Sequence, residues 1–223
     1  MNDARTARYS SLFTLPSTGP RVAIVGCGAI GRPLALQIAT LFPSASLSLI
    51  DFDTIDEENL GTQGWVPHDI GRSKVVALMD DIEDVNPSTS VAICDRRAIS
   101  SDLKTSVVFL CVDDMDTRKE LFLASEADLV VDTRMAANTA IVWPVYDQST
   151  RELWLEEWFP QSEAAQLPCT ARATNYAGSI AASLGTHALV EYLSDREPRR
   201  FELSLSNGTL LDPAVALPTF LPE

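Results

Sequence analysis

Three glycines, Gly26, Gly28 and Gly31, stand in the order G-C-G-A-I-G between the β-branched run RVAIV and an apolar run of helical spacing, RPLALQIATLF. The first permits a sharp turn, the second lets a phosphate approach the backbone, and the third lets helix and strand pack closely. Asp51 ends the next apolar run, at the distance where a ribose-binding acid is expected. Together these residues indicate a nucleotide site. Alone they favour an ordinary NAD-binding domain, although no later residue offers an evident hydride-transfer site for an oxidoreductase. Further along come Asn59 and Gln63 in N-L-G-T-Q-G-W, Lys74 in D-I-G-R-S-K, and Asp113 and Arg118 in D-D-M-D-T-R. Singly, each has a plainer reading: Asp113 as a helix N-cap, Lys74 as a solvated first-turn residue, Asn59 as a turn former.

As an ordered set these motifs resemble the ubiquitin-activating superfamily of adenylyltransferases, the ThiF/MoeB type, over residues 8 to 193. In that family the nucleotide-binding strand leads into D-x-D, then N-L-x-R-Q, a D-I-G-x-x-K helix start and D-N-x-x-x-R. The segment FPQSEAAQLPCTAR is also similar to a stretch of bacterial ThiF-type proteins. The resemblance implies that Asp113 binds the metal, that Lys74 meets the phosphates with the positive end of its helix, and that Asn59 helps to hold them. Gln63 keeps its place in the block, and Arg118 closes its motif with Asp114 replacing asparagine. It also implies ATP and Mg²⁺ as cofactors and a homodimer. The substrate would be a small ubiquitin-like or sulfur-carrier protein whose C-terminal carboxylate is adenylated, with a conjugating enzyme as a further partner. A carboxylate attacking the α-phosphate of ATP approaches a polyanion, so metal and cations belong around the leaving pyrophosphate.

Two departures touch the outer phosphates. Thr62 stands where the family has arginine, and Ser11 where an N-terminal arginine reaches a partner subunit's nucleotide. A hydroxyl does not replace a guanidinium fork. Arg32, just after the glycine turn, is the favoured substitute, with Arg8 and Arg72 as alternatives. If none substitutes, the chain is a non-catalytic nucleotide-binding scaffold. Cys169 lies in a polar loop and is either an acyl carrier, as in thioester-forming members of the superfamily, or a plain loop cysteine.

These residues need a scaffold, and the element order supplies one. Strands are expected at 21–26, 45–51, 90–94, 106–112 and 128–135, with helices after the glycine turn, over 69–85 capped by Asp69, after residue 112, and over 174–193. That order is a Rossmann-like α/β fold, a mostly parallel sheet flanked by helices. Segments 140–147 and 153–159 read as an antiparallel hairpin, an extension near the C-terminal half. FELSLSN reads as a last strand. Trp143, Trp154 and Trp158 fall on the proposed hairpin, as core or dimer packing or as a face for a partner's tail. The 223 residues suit a single domain, with an N-terminal arm (1–20), a crossover loop (160–173) and a partly ordered tail (205–223). A net charge of −14 argues against nucleic acid and anionic membrane as partners. Four separated cysteines without a C-x-x-C pair give no zinc site or disulfide framework and suit the cytoplasm. No signal core or membrane-spanning run is evident.

Overall fold

The computed structural model describes residues 18–136, 138–164 and 174–211, with Tyr9 and Leu12. An eight-stranded sheet in the order β3-β2-β1-β4-β5-β6-β7-β8 forms its centre. The strands are β1 (Arg21–Val25), β2 (Ser46–Asp51), β3 (Ser90–Asp95), β4 (Val107–Leu110), β5 (Leu129–Ala136), β6 (Thr139–Val145), β7 (Phe201–Ser204) and β8 (Thr209–Leu211). The first five pair in parallel and the last three extend the sheet antiparallel. The central parallel strands β1 and β4 are short and rich in Val, Ile and Leu, as expected where both faces are covered, while the edge strand β3 is largely exposed.

Helices α1 (Gly31–Leu41), α3 (Lys74–Val85) and α6 (Asn175–Leu193) cover one face, where Leu34, Ile38, Leu78, Ile82, Ala181 and Leu189 meet Ile24, Phe109 and Val131. Helices α4 (Met115–Ala124) and α5 (Gln148–Glu156) cover the other, and Phe122 stacks on Trp154 with centroids 3.9 Å apart. Chain order reverses between β1 and β4. In an open α/β sheet a ligand crevice opens at that point, outside the carboxyl ends of the strands.

Two expectations are corrected. Strand β6 pairs with β5, and residues 148–156 form α5 instead of a second hairpin strand. The Asp147 carboxylate accepts from the Thr150 amide at 2.8 Å, and this N-cap starts a helix whose Trp154 is fully buried. The helix at 69–85 begins only at Lys74. Gly71 takes a left-handed φ of +84°, so Asp69 ends a 3-10 turn (Pro67–Asp69) and Ser73 precedes the helix. Residues 57–63, for which no element was expected, form a short helix, α2 (Glu57–Gln63). Its signals were present in Asp56, two acids in the first turn, and Gly64 at φ +75° after the end. Trp143 and Trp154 belong to the core, and Trp158 is half-buried with its indole N–H on the Met115 carbonyl.

Candidate functional site

The turn after β1 has no room for side chains at two of its glycines. Gly26 has φ +94°, and a Cβ there would lie 2.7 Å from the Cys111 carbonyl oxygen. A Cβ at Gly31 would strike the Gly26 carbonyl. The backbone of the turn is therefore pressed against the end of β4 and the start of α1, and Gly28, facing the Gln63 amide, remains the open position. Asp51 fixes the turn from below, its carboxylate accepting from the Cys27 amide at 2.6 Å and the Asp53 amide at 2.9 Å. Burial pushes the Asp51 carboxyl above its usual range, against the pull of those two amides and of Lys74. Hydroxyl donors from a ribose would further favour its charged form.

Lys74 is 5% exposed and opens α3, with its Nζ 2.8 Å from an Asp53 carboxylate oxygen. It is neither solvated nor free, and it joins Asp53, the second acid of D-x-D, to the start of the helix. Gln63 accepts from the Trp65 indole at 3.1 Å. Asn59 caps its own helix, accepting from the Asp56 amide at 3.1 Å. Thr62 returns its hydroxyl to the Glu58 carbonyl. Arg32 lies 4.7 Å above the Trp65 ring and donates through Nε and Nη2 to Asp81, at 3.1 and 2.8 Å. Arg72 is tied to Asp69 and Asp80. Ser11, Arg8 and Cys169 lie outside the described residues.

Asp113 follows β4 at the switch point. It is exposed and has no hydrogen-bond or ion-pair partner among the described residues. Its neighbour Asp114 caps α4, accepting from the Thr117 amide at 2.6 Å, and the Thr117 contacts hold that carboxyl below the usual range. Two adjacent acids thus divide between an open carboxylate and a cap. Gln161 accepts from the Met115 amide at 2.8 Å, fastening the chain after α5 to the start of α4.

Arg118 is 3% exposed and is held through both terminal nitrogens, while its buried Nε has no partner among the described residues. Its guanidinium binds Asp132 and the carbonyls of Leu110, Val112 and Thr133. It therefore holds the strand end that carries Asp113, and its contacts in this structure are those of a positioning residue. Asp132, completely buried, also accepts from Arg134 and from the Trp154 indole at 2.7 Å. Burial opposes ionisation of Asp132, but the two guanidiniums outweigh it and hold its carboxyl below the usual range. Neither Asp132 nor Arg134 was singled out from the sequence, where a D-x-R in a strand carries no recognisable signal.

Cys27 and Cys111 lie behind the turn. Burial raises both thiols, that of Cys111 to about 12, so neither is a nucleophile at neutral pH. Among the described residues, no group of three or more His, Cys, Asp or Glu side chains could hold a metal by itself, and no helix is long and apolar enough to cross a membrane. The residues present still suit a nucleotide-borne Mg²⁺, which is characteristically held by one or two carboxylates together with substrate phosphates.

Comparison with known proteins bears on the family and the fold. The ThiF family profile matches residues 15–209. The probable adenylyltransferase/sulfurtransferase MoeZ of Mycobacterium tuberculosis is 33% identical over 108 residues, which cover 43% of this chain and 27% of MoeZ. The match therefore spans about a quarter of that relative's length. The sulfur carrier protein ThiS adenylyltransferase of Escherichia coli is 26% identical over 235 residues, covering 93% of this chain and 89% of that one. Escherichia coli MccB, solved with ATP, shares the fold with a TM-score of 0.72 at 15% identity, covering 95% of this chain and 71% of its own.

Proposed function

Because the chain belongs to the ThiF family, we propose that it is an adenylyltransferase that uses Mg-ATP to activate the C-terminal carboxylate of a small ubiquitin-like or sulfur-carrier protein. The observation that carries this reading is Asp113, an exposed, unpartnered carboxylate at the switch point beside a glycine turn. Among its relatives, the E. coli protein adenylates the sulfur carrier ThiS, by its name.

In this reading the turn at Gly28 and the start of α1 receive the phosphates, Asp51 the ribose, and Asp113 the metal. Mg²⁺, when bound, offsets charge on the phosphates as pyrophosphate departs. Lys74 offers an ammonium whose present partner, Asp53, is half-exposed and can yield to a phosphate. Gln63 borders the open glycine. Arg118 keeps the Asp113 strand end in place. The carboxylate oxygen of the substrate bonds to the α-phosphorus as the bond to the β-phosphate breaks, and pyrophosphate carries the electron pair away. The protein works as a homodimer in the cytoplasm.

Arg32 supplies the charge lost at Thr62 and Ser11. Its guanidinium is preoriented by Asp81 and Trp65, and Nη1 remains without a hydrogen-bond partner among the described residues. Arg32→Ala should slow ATP–pyrophosphate exchange on the order of a hundredfold, with AMP affinity nearly unchanged. Its partly exposed pair with Asp81 should contribute no more than about 1 kcal/mol to stability. An unchanged exchange rate would hand the role to Arg8 or Arg72.

Thioester formation on Cys169 would follow adenylation. The described chain ends on either side of residues 165–173 flank the cleft. Gln161 is bonded at the start of α4, and the Asn175 side chain lies near Gly64 and Arg32. Calorimetry should detect Mg-ATP binding without NAD binding, and pyrophosphate exchange should require the substrate protein. Cys169→Ala should leave exchange intact and remove any thiol-sensitive adduct. NAD binding without ATP binding would overturn the adenylation reading; exchange without any such adduct in the wild type would remove only the acyl-carrier role.

A further inference from the structure

We propose that Arg134 is the receptor for the free carboxylate of the substrate's extended C-terminal tail, reached from the α4/α5 face of the sheet. This deepens the adenylation reading and rests on it for the identity of the ligand.

The starting observation is a charge imbalance. Asp132 is fully buried, Arg118 is 3% exposed, and the side chain of Arg134 is 12% exposed. One carboxylate serves two guanidiniums, and no second carboxylate bonds to either among the described residues. A net positive charge so far out of water is costly unless an anion completes it. It persists here in a chain of formal charge −14.

The second observation is where the open valence points. Arg134 gives Nε and Nη2 to one oxygen of Asp132, at 2.8 and 2.5 Å. Nη1 has no partner among the described residues and is not a buried unpaired atom. The rings of Trp143, Trp154 and Phe159 stand about its guanidinium, with centroids 5.9, 5.9 and 6.0 Å away. A guanidinium braced on one side and walled by aromatic rings suits a carboxylate borne on a narrow chain, and it discriminates against the neutral amide of the same chain.

The third observation is position. Leu110 pairs with Asp132 in parallel register. Two residues further along these neighbouring strands come Val112 and Arg134, and the next residue after Val112 is Asp113. Arg134 thus lies two residues past the last β4–β5 pair, in the strand beside the one that leads to the proposed metal-binding acid. The glycine turn and Lys74 belong to α1 and α3 on the opposite face. Arg134 packs with Trp154 of α5 on the other face. Nucleotide and tail would therefore reach Asp113 from different faces of the sheet, leaving the phosphate subsite and the carboxylate subsite distinct.

The test uses a synthetic octapeptide ending in Gly-Gly with a free carboxylate, and the same peptide as its C-terminal amide. Binding is read by tryptophan fluorescence, since Trp143 and Trp154 border the site, and Mg-ATP binding is read separately by calorimetry. Wild-type protein should prefer the carboxylate by about tenfold or more, the worth of a hydrogen bond to a charged group. Arg134→Gln should erase that preference and leave ATP affinity unchanged. Arg134→Lys should retain part of it. If the glutamine variant does not fold, a several-fold weakening of carboxylate binding in Arg134→Lys, with amide binding unchanged, carries the same reading. The proposal is overturned by a preference that survives Arg134→Gln, by a variant that loses ATP affinity instead, or by wild type that binds neither peptide at millimolar concentration. Pyrophosphate exchange separates the two readings. An Arg134-dependent carboxylate preference without exchange would sink adenylation and keep this site. Exchange that is equal in wild type and Arg134→Gln would keep adenylation and sink this site.

Discussion

Asp113→Asn should lower ATP–pyrophosphate exchange by a thousandfold or more, on the order expected when a metal-binding carboxylate is lost from phosphoryl chemistry, while leaving the melting temperature unchanged. The two halves of that expectation have separate grounds. The side chain is exposed and makes no hydrogen bond or ion pair among the described residues, so nothing in the fold depends on its charge. The cap on α4 belongs to Asp114, whose bond to the Thr117 amide is untouched. Asp114→Ala should show the reverse pattern, a loss of about 1 kcal/mol in stability with exchange retained. Exchange assays and thermal unfolding on the same two preparations check both. Full exchange in Asp113→Asn would remove the metal assignment.

Asp132→Asn should be the most destabilising single change at the site, by about 3–5 kcal/mol. The amide keeps the shape but leaves Arg118 and Arg134 without the only carboxylate bonded to them among the described residues, inside a cluster that also includes the Trp154 indole. In a domain of this size that corresponds to a fall in melting temperature of roughly 6–20 °C. The same pair gives a pH dependence. The Asp132 carboxyl is held below its unfolded value, so the stability it contributes is complete above about pH 4 and is lost as pH falls from there through the lower folded value. Acid unfolding of the wild type should therefore steepen below about pH 4, and Asp132→Asn should lack that component. Thermal melts across pH 3–7 would decide it, and a variant as stable as wild type at pH 7 would contradict the reading.

The parallel half of the sheet was legible because each strand is a short run of apolar and β-branched residues punctuated by turns, a local signal that a sequence carries openly. The hairpin error shows the limit. Residues 153–159 carry tryptophans and leucine in a spacing that suits a strand, yet the Asp147 cap and the pocket against Phe122 made residues 148–156 a helix. Likewise the run from Asp69 looked helical until Gly71 broke it at positive φ. In both cases one capping or turning residue overrode the apolar pattern.

For the site, the sequence by itself determined the chemistry on offer: the glycine turn, the ribose acid Asp51, the ordered Asn59, Gln63, Lys74, Asp113 and Arg118, and the absent arginines at Thr62 and Ser11. Those are matters of residue type and order along the chain. Tertiary structure alone decided which charges are free. Lys74 is paired with Asp53, Arg32 with Asp81, and Arg118 with Asp132, at sequence separations of 21, 49 and 14 residues. Among the described residues, Asp113 and one nitrogen each of Arg32, Arg118 and Arg134 remain without a partner, that of Arg118 being buried. No spacing rule foretells that, because an ion pair depends on distance in space and on how much water burial removes. Both are fixed only when the strands of the sheet come side by side.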